Sequence, residues 1–109
     1  MIYIATPYSH TDPKVIERRV TTVTQFAAML CRCGVLVYSP ITHGHQLALV
    51  NSLIETNASA WREHNLEILK HCHQLIVLGA RENIITSIGC QTEIKFAREN
   101  NISVTYKYI

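Results

Sequence analysis

Charge is scarce in this chain. Asp, Glu, Lys and Arg together make up 17% of its 109 residues, and the formal net charge is only +2. Lys and Arg are scattered, so the basic stripe of a nucleic-acid-binding surface is missing and no polymeric nucleic acid is expected as a partner. Long apolar runs are lacking too; the longest are of strand length, and no membrane-spanning helix or membrane partner is expected. Met1 to Ala5 runs directly into Thr6-Pro7 with no positively charged n-region, so no signal peptide is expected and the cytoplasm is the default compartment. Repeats, linkers and low-complexity segments are also missing. What is present is 48% hydrophobic residues, enough for one buried core, and a single domain over residues 1–109 is expected.

Cysteine is limited to Cys31, Cys33, Cys72 and Cys90, with no recurring C-x-x-C pair. These read as reduced, small packing residues rather than a disulfide framework or a zinc site. His43-Gly44-His45 and His71-Cys72-His73 lack the i, i+4 helical spacing of a strong metal motif, so no metal is expected.

Apolar runs alternate with amphipathic stretches along the whole chain. Met1 to Ala5 reads as a strand ended by Pro7, which has no amide hydrogen and biases Thr6 toward an extended conformation. Asp12-Pro13 suits a helix start. Ile16, Val20, Val23, Ala27 and Leu30 then form one stripe of a helix from Lys14 to about Cys33, stopped by Gly34. Val35 to Tyr38 is a second strand, ended by Ser39-Pro40. A loop carrying His43 and His45 is expected next, then a short helix over Gln46 to Leu53 and a turn at Asn57-Ala58-Ser59. Ala60 to Lys70 reads as a helix, Leu75 to Leu78 as a strand, Gly79 to Thr86 as a loop, Ser87 to Asn100 as a helix and Ile102 to Tyr106 as a last strand. Continuous apolar strands alternating with helices predict an α/β fold with a parallel sheet covered on both faces.

Ligands of such sheets bind beyond the carboxyl ends of the strands, where the strand order switches. Three loops leave those ends: Thr6 to Ser9, with Ala5 at its root, Ser39 to His45, and Gly79 to Gly89. Ser87 and Gly89 open a helix whose free amides and dipole favour an anion, and Glu93 follows one turn inward. Spacing alone favours a capped helix with a surface glutamate steadying its first turn, since capping glutamates are common. Tyr3 reads as a core residue whose hydroxyl needs a partner. Tyr8 is expected to be exposed. His43 and His45 are placed either to touch a base or phosphate or simply to face water. His64 and Asn65 fit a solvated helix face.

Ile2-Tyr3-Ile4-Ala5 with Pro7, Ser39-Pro40, Trp61 through Asn65, and Ser87-x-Gly89-x-x-x-Glu93-Ile94-x-x-Ala97 together resemble the nucleoside 2-deoxyribosyltransferase-like superfamily, and its short branch most closely. The Gly-x-x-x-Glu-Ile-x-x-Ala element is the most specific part. The resemblance implies a single-domain flavodoxin-like three-layer sandwich with four or five parallel strands, and Glu93 as a nucleophile attacking an anomeric carbon, with Tyr3 beside it. It implies a small-molecule nucleoside or nucleotide partner bound by Ala5, Thr6, Pro7, Tyr8, His43, His45, Ser87 and Gly89, no cofactor, and a homo-oligomer. Serine two residues before the glycine is the pattern of members acting on nucleoside 5′-monophosphates, which points to N-glycosidic hydrolysis over base transfer. Asn65 stands where the family commonly has an aspartate that assists proton transfer. An amide cannot supply a proton at neutral pH, which leaves His64 as the adjacent donor or an inactive nucleotide-binding module as the alternative.

Overall fold

The chain starts in the middle of its sheet. In a computed structural model that describes residues 1–54 and 58–109, β1 (Ile2–Ala5) lies between β2 (Val37–Tyr38) and β3 (Gln74–Gly79), and β4 (Ser103–Tyr108) forms the far edge. All three pairings are parallel, in the order β2-β1-β3-β4. From β1 the chain steps outward to β2 and then returns to the other side of β1 to make β3. The switch in strand order therefore falls between β1 and β3.

Five helices connect the strands: α1 (Pro13–Arg32), α2 (Pro40–Val50), α3 (Ala58–Lys70), α4 (Arg81–Thr86) and α5 (Ile88–Glu99). Alternate residues of β1 enter two separate clusters, as the period-two pleat requires. Ile4 packs with Val23 and Leu78 under α1, while Tyr3 and Ala5 pack with Leu69, Leu75, Val77, Ile94 and Ala97 under α3 and α5. The result is a three-layer, flavodoxin-like α/β sandwich. On β4, Val104 and Tyr106 join the second cluster whereas Ser103, Thr105 and Lys107 are exposed, which is why that strand alternates instead of reading as one apolar run.

Local chemistry sets the element ends. The Asp12 carboxylate accepts from the Lys14 amide at 2.9 Å with Pro13 at the first helical position. The helix stops at Gly34, whose φ of +81° costs a glycine little. The Ser39 and Ser87 hydroxyl oxygens accept from the Thr42 and Cys90 amides at 3.3 and 3.2 Å, capping α2 and α5.

Several expectations need correction. Ser39 caps a helix that begins at Pro40 immediately, so His43 and His45 lie on α2 rather than in a loop, and the helix ends at Val50. The expected loop after β3 contains α4. The second strand is confined to Val37 and Tyr38. Ala58 and Ser59 open α3 instead of forming a turn, and Asn57 lies outside the described residues. Cys72 and Cys90 are buried packing residues, but Cys31 and Cys33 are exposed at the end of α1. No helix among the described residues is long and apolar enough to cross a membrane.

Candidate active site

Where β1 and β3 end side by side, a cavity of about 620 Å³ opens, within the range of small-ligand pockets. One wall is the loop leaving β1. Thr6 donates to the Leu78 carbonyl at 2.6 Å, and Pro7 lies against Gly79, where an added Cβ would meet the proline Cδ at 2.9 Å. Both contacts pin the loop to the end of β3. Tyr8 is half-buried, not exposed as expected, and its hydroxyl pairs with Nδ1 of His45 on α2 at 2.9 Å. Arg19 of α1 reaches back to the Ser9 carbonyl at 3.0 Å and itself borders the cavity. Two helices thus hold a loop that has no regular structure of its own.

The opposite wall is the start of α5. Ser87, Gly89 and Glu93 all line the cavity. The first amides of a helix have no partner within it, and together with the macrodipole they favour an anion there. Arg19 adds a full positive charge to the same cavity. This cation was not singled out from sequence. The available signal was its position three after Ile16, an arginine on an otherwise apolar helical stripe.

Glu93 is not a surface residue of the first turn. It is 9% exposed, on the face of α5 that packs on the sheet, and its Oε2 accepts a hydrogen bond from the Tyr3 hydroxyl. Burial pushes its carboxyl up to about 7, and the bond from Tyr3 works in the opposite direction. Tyr3 is itself fully buried. Burial first, and the adjacent Glu93 second, raise its phenol far above the ordinary value, so it stays a neutral donor. A buried carboxyl that titrates near neutrality, fixed by a phenol and open to a cavity, is the arrangement expected of a general acid, base or nucleophile.

The remaining candidates divide. Asn65 lines the cavity from α3 with a buried Oδ1 that has no hydrogen-bond partner among the described residues. It is not on a merely solvated face. Ala5 is fully buried in the core and does not border the cavity. His43 does not border the cavity: its ring stacks on His64 at 6.0 Å and meets Trp61, which does border it, edge-on at 6.2 Å, and His64 does not border it either. His64 is therefore not placed to donate a proton there, whereas His45 borders the cavity. Among the described residues no cluster of three or more His, Cys, Asp or Glu could hold a metal ion.

Fold and cavity together define a class: a parallel-sheet α/β domain with a buried, phenol-bound glutamate at the topological switch point. Within that class the chain belongs to the family described as Domain of unknown function (DUF1937), whose model matches residues 1–108. No curated protein matches the chain.

Proposed function

We propose that the protein is an N-glycosidase that hydrolyses the base–sugar bond of (deoxy)nucleoside 5′-monophosphates, with Glu93 as nucleophile. The observation that carries this reading is the Glu93 carboxylate, buried against Tyr3 and bordering a cavity that also holds Ser87, Gly89 and Arg19. The resemblance of the Gly89-x-x-x-Glu93-Ile94-x-x-Ala97 element to the nucleoside 2-deoxyribosyltransferase-like superfamily supports it.

In the first step Glu93 attacks the anomeric carbon while the C–N bond breaks, and its electron pair leaves with the base. The departing base takes a proton from His45 or water, since Asn65 has none to give. Water then cleaves the glycosyl ester, returning the carboxylate and releasing a sugar 5-phosphate. Tyr3 steadies one carboxylate oxygen throughout. The α5 N-terminus and Arg19 suit the 5′-phosphate dianion.

Incubation with a panel of nucleoside monophosphates and chromatography for free base tests the reading. Base release that is lost in Glu93→Ala supports it; release that survives unchanged removes the nucleophile. Adding a second free base separates hydrolysis from base exchange by a transferase. Asn65 favours one further reading, a nucleotide-binding module without turnover. Saturable binding with no base released over many hours would select it.

We also propose a cytoplasmic homo-oligomer. Leu49 and Val50 at the end of α2 and Leu53 just beyond it are 67–88% exposed, apolar side chains that a second copy can cover. A light-scattering mass equal to one chain counts against it.

A further inference from the structure

Tyr38 is a second phenol beside Tyr3. It stands directly opposite Tyr3 in the β1–β2 register, so both side chains leave the sheet on the same face, and their rings are 5.8 Å apart at 48°. The Tyr3 hydroxyl is committed to Oε2 of Glu93. The Tyr38 hydroxyl is buried and has no hydrogen-bond partner among the described residues. A buried hydroxyl left unpaired is destabilising, and native proteins rarely keep one without a use. Burial raises the Tyr38 phenol, and the negative charge of Glu93 raises it further, so Tyr38 stays protonated.

We propose that Tyr38 is a positioning residue for Glu93: its hydroxyl supplies a second hydrogen-bond donor, directly or through one water, to the ionised carboxylate. Two neighbouring phenols then serve one carboxyl group. Tyr3 holds Oε2 and Tyr38 serves the ionised state, in which a second acceptor site on the carboxylate becomes available. The other titratable or charged groups around this arrangement are Cys72, in the same core cluster as Tyr3, His43 of α2, whose ring lies 5.9 Å from that of Tyr38, Cys90 on the helix of Glu93, and Arg19, His45 and Arg62 bordering the cavity from α1, α2 and α3.

The inference rests on the geometry of the carboxylate and not on the proposed substrate, and its test needs no turnover. Uniform ¹³C-glutamate labelling, with the Glu93 resonance assigned by its loss in Glu93→Gln, lets the carboxyl titration be followed by NMR on the intact protein. Tyr38→Phe is expected to move the Glu93 midpoint upward by about one pH unit, the shift that loss of one hydrogen bond to an ion produces. Replacing Tyr38 by 3,5-difluorotyrosine, a stronger donor of nearly the same shape, is expected to move it downward. A midpoint unchanged in both variants overturns the proposal and leaves Tyr38 as a packing residue. Movement in the same direction in both does so as well. If Tyr38→Phe proves too unstable to titrate, the fluorinated variant alone decides: a downward shift supports the proposal, and none overturns it.

Discussion

Gly79, the last residue of β3, and Pro7, in the loop leaving β1, meet where no side chain can be inserted: a Cβ on Gly79 would lie 2.9 Å from the proline Cδ. The Gly79 φ of +155° is also one that other residues seldom adopt. Two strand ends are therefore held together through the absence of a side chain, and the loop so held forms one wall of the cavity.

Gly79→Ala is accordingly expected to lower stability by about 1–3 kcal/mol and to displace Thr6 to Tyr8. Its effect should reach beyond stability, because the displaced loop carries the Tyr8–His45 bond. The measurement is paired: urea unfolding for stability, and calorimetric affinity for a nucleoside monophosphate. A variant with unaltered affinity would show that the loop position is not part of the binding wall.

The Glu93 carboxyl makes stability depend on pH with a definite sign. Its folded value lies at about 7, against roughly 4.3 for an unperturbed glutamate. Between those values the folded protein keeps a proton that the unfolded chain has released, so stability falls as pH rises through this window and levels off above it. The total effect is on the order of 3–4 kcal/mol. Glu93→Gln removes the titration and should be flatter across pH 4.5–7 than the wild type and more stable at pH 8. Parallel curves for the two proteins would mean that Glu93 ionises normally.

Tyr3→Phe removes a hydrogen bond that lowers the Glu93 value. Its midpoint should rise further above 7, and any base-release activity should shift its acid limb to higher pH by about one unit or more. The cost to stability should be about 1–2 kcal/mol, since the ring stays and only the hydroxyl is lost. A pH–rate profile on wild type and variant checks this, and superimposable acid limbs would remove Tyr3 from any role at the carboxylate.

Strand–helix alternation was readable because each core strand is a short apolar run, and because Asp12-Pro13, Gly34 and Ser87 carry the chemistry of helix ends. Sequence is ambiguous where one dipeptide does two jobs. Ser39-Pro40 ends β2 and also starts α2, since a proline at the first helical position loses nothing by lacking an amide hydrogen, and its strand-ending role alone implies a loop for His43 and His45. The pairing of Tyr3 with Glu93 was suggested only by family resemblance, because a bond across ninety positions leaves no local pattern. The division between His45, which borders the cavity, and His43, which stacks on His64, follows from the helical turn: residues two apart on a helix face different ways.

Arg19 offers the sharpest division between a structural and a binding role. It holds the Ser9 carbonyl at 3.0 Å and borders the same cavity as Ser87 and Gly89. If its charge meets the 5′-phosphate, Arg19→Met should weaken nucleoside monophosphate binding by ten-fold or more, a typical loss for a charge-assisted bond. Affinity for the matching nucleoside, which has no phosphate, should change little. If Arg19 acts only as a clasp on the loop, both ligands should lose affinity alike. Calorimetry with the nucleotide and nucleoside of one base distinguishes these outcomes, and raising the salt concentration gives an independent check. The wild-type preference for the nucleotide should shrink as salt screens the phosphate, whereas a loop distortion is insensitive to ionic strength.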